Sequence, residues 1–266
     1  VSLQILAPRT RQAIKRKAIV VSIAGKGGVG KTTITALMLK ALIENTDKYI
    51  LVVDADPVTN LPNVLGIREY TTVGDVIEEL RERMERGEVQ SLPPEIFDMY
   101  IQDTIVECDK YDLLVMGRTE GKGCYCYVNA VLRGIIQTLE SNYDIILIDC
   151  EAGLEHIQRR VDENVDILLI VTDSSKMGIE ACRKICELAD KLKLNIKKKY
   201  VIGCRVSSVE LLEKYVSDIG LDVCGVVPYD PIIEEYNLSG RSLLEIPETS
   251  IAYRAVKDIC RRIGLM

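Results

Sequence analysis

Nine consecutive residues constrain this chain more than any others: Gly25-Lys26-Gly27-Gly28-Val29-Gly30-Lys31-Thr32-Thr33. In a Gly-x-x-x-x-Gly-Lys-Thr run, backbone N–H groups surround a phosphate, one ammonium reaches the β/γ oxygens, and a hydroxyl sits on Mg²⁺. Lys31 and Thr32 stand in the last two positions, and Thr33 follows them into a helix. Such a loop needs a strand before it and a helix after it, because the helix N-terminus supplies unpaired N–H groups and the positive end of its dipole. The flanks meet that demand, with an apolar run over 18–24 entering the loop and a helical pattern over 33–44 leaving it. Lys26 is an extra lysine at the far lip. Its side chain is expected to turn away from its own nucleotide and toward that of a neighbouring subunit.

Further apolar runs recur at 49–54, 111–116, 143–149, 166–172, 199–206 and 222–227, mostly with helical stretches between them. Strands of this kind are buried on both faces, so the chain reads as α/β, a single doubly wound domain over 18–266 with a mainly parallel sheet of about seven strands. With 266 residues and 47% hydrophobic content, a substantial core can form. The most polar insertion, 68–102, carries an expected helix over 72–86 and a stop at Pro93-Pro94. A net charge of −6 gives no reason to expect nucleic acid. Residues 1–17, with Arg9, Arg11, Lys15, Arg16 and Lys17, are expected to form a flexible basic extension; they lack the long apolar stretch of a signal peptide. No run is long enough to span a bilayer, and a cytosolic location is expected. The last helix, over 250–263, is basic and amphipathic and is expected to pack on the sheet rather than lie on a membrane.

Two carboxylate positions complete the nucleotide chemistry. Asp54-Ala55-Asp56-Pro57 follows the second strand and Asp149 ends the fourth. Ligands of open parallel sheets bind outside the carboxyl ends of the strands, so both sets are expected beside the loop. Asp149 is expected to hold Mg²⁺ through a water. Asp54 and Asp56 are expected to orient the attacking water and organise the metal shell, with Asp56 the first choice for hydrolysis.

With the second lysine and these aspartates, the chain from about residue 18 onward resembles the deviant phosphate-loop ATPases. These include the nitrogenase iron protein, the septum-positioning and chromosome-partitioning ATPases, and metal-site maturation factors. The resemblance implies the nitrogenase iron protein fold, Mg²⁺-dependent ATP hydrolysis, and an ATP-dependent homodimer in which Lys26 reaches across the interface. In that group an Asn commonly precedes a basic residue at the end of the sixth strand and reads adenine; here Cys204 precedes Arg205. Pro228-Tyr229-Asp230 matches the other base-contacting loop, and backbone groups near Arg205 and Val227 are the alternative base contacts.

Nine cysteines are present. Cys204, Cys224, Cys182 and Cys186 fall in strand or helix patterns where small apolar residues are expected. Cys124-Tyr125-Cys126 differs, because it follows the third strand of the pattern at the sheet edge that carries the phosphate loop. Two thiolates are half of a tetrahedral site, and a two-fold partner would supply the other half. Thiolates suit Zn²⁺, Ni²⁺ or Cu⁺ and do not choose among them.

Gly123-Cys124-Tyr125-Cys126-Tyr127-Val128-Asn129, with Asp149-Cys150-Glu151-Ala152-Gly153-Leu154-Glu155-His156, is similar to the ATPases that insert nickel into carbon monoxide dehydrogenase. That resemblance implies one metal ion held between two Cys-x-Cys loops, with the dimer switched by ATP. The maturation factor for the acetyl-CoA synthase nickel centre is closely similar. The runner-up is an iron–sulfur reductase of the iron protein type, in which a second cluster cysteine stands at the position of His156, the single histidine here. A positioning or partition ATPase is the third reading. The expected function is therefore ATP-dependent metal handling, with Ni²⁺, or Zn²⁺ in the same site, held by Cys124 and Cys126.

Overall fold

The computed structural model describes residues 17–88, 99–118, 139, 141–151, 164–206 and 208–266. Residues 1–16, Pro93-Pro94, Cys124, Cys126 and His156 lie outside the described residues.

Eight strands lie among the described residues: β1 (Ile19–Gly25), β2 (Ile50–Asp54), β3 (Val106–Glu107), β4 (Tyr111–Val115), β5 (Ile145–Asp149), β6 (Asn164–Thr172), β7 (Asn195–Cys204) and β8 (Asp222–Val227). They form one sheet in the order β3-β4-β2-β5-β1-β6-β7-β8, parallel throughout except for β3 against β4. β2, β4 and β5 are buried along their whole length, which is why they appear as unbroken apolar runs.

Two features depart from the strand pattern. β3 is only two residues long, too short to carry a period, and pairs antiparallel on the edge. β7 begins at Asn195, four residues before the expected 199, through the polar Lys197-Lys198-Lys199. The reason is its second neighbour: β6 pairs β7 from Asn195 onward, whereas β8 joins only at Tyr200. The first half of β7 is thus an edge, where lysine is tolerated and discourages further pairing.

Helices cover both faces. α1 (Lys31–Asn45) starts at Lys31 rather than at 33, because Gly30, at φ 100, turns the chain straight from loop into helix. Ile34, Leu37, Met38, Leu39 and Leu42 of α1 are fully buried, each worth roughly 2 kcal/mol relative to exposure. α2 (Leu61–Leu65) lies on the same side. α3 (Val73–Glu85) occupies the expected 72–86 span, opened by a capping box between Thr72 and Asp75. It covers the opposite face with α4 (Lys176–Lys191) and α5 (Val209–Ser217). α6 (Pro231–Ser239) leads to α7 (Ile251–Arg262), whose apolar stripe of Ala252, Tyr253, Val256 and Ile259 is buried against α1 and β8. Packing on the sheet, as expected, uses up that stripe. The result is a doubly wound α/β domain. Cys150, Cys182, Cys204, Cys224 and Cys260 are buried within it.

Candidate functional site

The parallel strands bring the ends of β1, β2, β5, β6 and β7 to one edge, and the phosphate loop leaves from the end of β1. Gly25 (φ +149) is pressed on β6: a Cβ there would stand 2.3 Å from the Val171 carbonyl oxygen. Gly27 and Gly28 are exposed at the crest, while the Val29 side chain is anchored in the core. Lys31 is 7% exposed, and its ammonium rests 3.4 Å from the Lys26 carbonyl, inside the loop it is expected to serve. Thr32 and Thr33 are half-buried in the first turn of α1. Lys26 is half-buried at the lip.

Asp54 and Asp149 face one another in register on β2 and β5. This juxtaposition comes from strand order, since the two residues are neighbours only through the non-consecutive β2–β5 pairing. Both are buried. Asp149 has neither oxygen in a hydrogen bond among the described residues. Burial raises its carboxyl to about 6, opposed by the nearby Thr32 hydroxyl and Lys31 charge. Asp54 accepts from the Asp56 N–H (3.1 Å) and the Leu61 N–H (3.0 Å). Burial and then the Asp149 charge push its carboxyl up to about 8. Both Asp54 oxygens are thus engaged with the backbone of the following loop. Its geometry is that of an anchor for the loop carrying Asp56. Asp56 is half-buried, and its carboxylate accepts from the Val58 N–H at 2.9 Å.

The expected base-contacting segments are adjacent, but several of their groups are occupied. The Arg205 N–H donates to the Val227 carbonyl (2.9 Å). Asp230 is buried and accepts from the Ile232 N–H, the Ser250 hydroxyl and the Ala252 N–H, so its carboxylate holds the starts of α6 and α7 together. Pro228 is half-buried and Tyr229 is exposed, with its hydroxyl on Glu234. The Cys204 sulfur lies beneath the phosphate loop, 3.3 Å from where a Gly30 Cβ would be.

Sequence reasoning missed Asp173, at the end of β6. Its carboxylate accepts from the Ser175 N–H at 3.0 Å. The Ser175 hydroxyl above all, with smaller contributions from that N–H and the charges of Lys26 and Arg205, holds it below its ordinary range against the effect of burial. An Asp ending the strand beside β1 was the available signal, by the same strand-end rule that selected Asp149.

A family profile described as an AAA domain matches residues 16–202. This chain belongs to the AAA-domain family. Among the relatives of this AAA-domain protein is the uncharacterized ATP-binding protein MJ0685 of Methanocaldococcus jannaschii. It is 43% identical over 254 residues, spanning 92% of this chain and 98% of that one. The carbon monoxide dehydrogenase accessory protein CooC of Rhodospirillum rubrum is 27% identical over 270 residues, 92% of this chain and 97% of its own. Among solved structures, the septum site-determining protein MinD of Pyrococcus horikoshii, complexed with Mg-ADP, matches with a TM-score of 0.70 at 25% identity, covering 93% of this chain and 96% of that one. The AAA-domain protein is thus an ATP-binding deviant phosphate-loop ATPase of the group that holds MinD and CooC. No helix among its described residues is long and apolar enough to cross a membrane.

The carboxylate pair sets a pH dependence. Asp54 and Asp149 bind protons more tightly in the folded state than at the unfolded value near 3.9, so the folded state takes up protons and its stability falls as pH rises. The loss runs through about 6 for Asp149 and about 8 for Asp54. The melting temperature of the nucleotide-free AAA-domain protein is expected to drop across this window, and less steeply in Asp149→Asn, which also relieves Asp54 of its charged neighbour. Parallel melting curves for parent and variant would show that the pair does not set the dependence.

Proposed function

We propose that this ATPase is a homodimeric metallochaperone that couples ATP binding and hydrolysis to the delivery of thiolate-bound Ni²⁺ to a nickel enzyme. The client class is carbon monoxide dehydrogenase or the related acetyl-CoA synthase. The observation that carries the reading is Cys124-Tyr125-Cys126, in the segment between β4 and β5, two strands whose ends lie at the ATP edge of the sheet. The relationship to CooC over 92% of the chain supports it. Two cysteines from each of two chains would make a four-thiolate site, closed by dimerisation and opened when the dimer parts.

In this reading Gly25, Gly27, Gly28, Val29, Gly30, Thr33 and Lys31 bind the phosphates, and Thr32 with Asp149 holds Mg²⁺. The donors suit the ion: hydroxyl and carboxylate oxygens are hard ligands, and the Asp149 oxygens are not taken up by protein donors among the described residues. Bound Mg²⁺ would neutralise charge developing on the phosphates. Asp56 positions the attacking water and accepts its proton, Asp54 keeps the Asp56 loop in place, and Lys26 acts on the partner's nucleotide. Pro228 and Tyr229 frame the base.

The test is anaerobic titration of the apo-protein with Ni²⁺, followed by elemental analysis with and without ATP. One nickel per two chains is expected, lost in the double variant Cys124→Ala, Cys126→Ala while ATP binding is retained. Nickel bound equally by the double variant sinks the site. Iron and sulfide in the purified protein would move the reading to a reductase, and hydrolysis stimulated by vesicles or DNA without any metal would move it to a positioning ATPase.

A further inference from the structure

Arg205 stands on a backbone that is itself unusual. Its φ is 54, a left-handed conformation uncommon for a residue with a side chain, yet its N–H is fixed on Val227 at the end of β8. From this position the guanidinium reaches 177 residues back along the chain and donates from Nη2 to the Gly28 carbonyl at 2.7 Å. Asp173 lies close enough to feel the charges of both Arg205 and Lys26.

The Gly28–Val29 peptide joins an open residue to an anchored one. On one side Gly28 is exposed, at φ +76, with nothing within 4 Å of where a Cβ would be; on the other the Val29 side chain is locked in the core. Without an external hold, a glycine in open space lets such a peptide plane rotate. Every peptide bond of the described chain is trans, so the carbonyl of Gly28 and the N–H of Val29 point in opposite directions from a common plane. A hold on one end orients the other.

We infer that Arg205 is the latch of the phosphate loop: by pulling the Gly28 carbonyl outward it turns the Val29 N–H into the cradle, so that a phosphate donor is in place before nucleotide arrives. The Lys31 ammonium on the Lys26 carbonyl holds the preceding part of the loop from within, and Arg205 holds the crest from without. Arg205 is thus a positioning residue for phosphate, in place of the base-contacting role expected from sequence. This inference does not depend on the metal cargo.

Arg205→Gly is the informative variant, because glycine takes the positive φ without strain and the fold should survive removal of the side chain. In the nucleotide-free protein, the ¹⁵N–¹H signal of Val29 should shift or broaden and its hydrogen exchange quicken. Affinity for ATP and for inorganic tripolyphosphate should fall by a similar factor, roughly tenfold for one charge-assisted hydrogen bond, with AMP little changed. Arg205→Lys keeps one cationic donor and should recover most of the loss. A fall in ATP affinity with tripolyphosphate unchanged would make Arg205 a base or ribose contact and overturn the latch. An unaltered Val29 amide in the nucleotide-free variant would also overturn it, assigning any phosphate effect to direct contact. A lysine variant as weak as the glycine one would do the same.

Discussion

Lys31→Ala is expected to abolish measurable Mg-ATP binding and hydrolysis. Lys31 and Lys40 are the buried cations among the described residues, and the Lys31 ammonium is held in the phosphate loop by the Lys26 carbonyl. Removing one partner from a buried charged constellation costs about 2–5 kcal/mol, which corresponds to a loss of affinity from roughly thirtyfold to several thousandfold. A second effect adds to the first. Lys31 is among the groups that favour the charged form of Asp149, and its loss leaves the Thr32 and Thr35 hydroxyls to oppose burial without its charge. A proton would then compete more effectively with a cation at neutral pH. Calorimetric titration and thermal melting measure the outcome together. Millimolar Mg-ATP should raise the melting temperature of the parent, as any ligand of the folded state does, and leave that of Lys31→Ala in place. Equal shifts in both proteins would show that nucleotide binds elsewhere.

Gly25→Ala is expected to damage the fold as well as the site. The added Cβ would lie 2.3 Å from the Val171 oxygen and 3.2 Å from the Val171 carbonyl carbon, both backbone atoms of β6 that cannot move without shifting the sheet. The φ of +149 adds a conformational penalty for any L-side chain. Overpacking and backbone strain together should cost about 4 kcal/mol, a fall of roughly 8–16 °C in melting temperature for a domain of this size. Gly220→Ala is the matched control. Its φ of +71 imposes a similar strain, but nothing lies within 4 Å of the new methyl, so it should lose only about 1 kcal/mol. A similar small loss at both positions would mean that β1 and β6 can separate without cost. Because Gly25 begins the phosphate loop, ATP affinity should fall along with stability, whereas Gly220→Ala should leave it alone.

Much of the site was legible in the residues because its requirements are local. A phosphate loop needs glycines, a lysine and a hydroxyl at fixed spacing, and Gly25 to Thr33 supply them between a strand and a helix. Strands covered on both faces must be apolar along their length, so β2, β4 and β5 announced themselves, and Asp54 and Asp149 followed from their places at strand ends. The helix over 73–85 was equally open to reading, since its capping box is a contact between residues three apart. The starts of α1 and β7 were read less well. In the first case a glycine conformation moved the boundary, and in the second the arrival of β8 only at Tyr200 did.

What the sequence by itself determined, then, is the fold class, the phosphate loop and the pair of strand-end carboxylates, because each is written in residues a few positions apart. Tertiary structure alone decided that Asp54 spends both oxygens on its own loop, that Asp230 joins two helix starts, that Asp173 shares the field of Lys26, and that Arg205 holds the Gly28 carbonyl. Those outcomes depend on strand order and register, which bring together groups as much as 177 residues apart. Whether a carboxylate faces water or a backbone N–H, and whether an arginine meets a base or a carbonyl, is set by that placement and leaves no periodic trace along the chain.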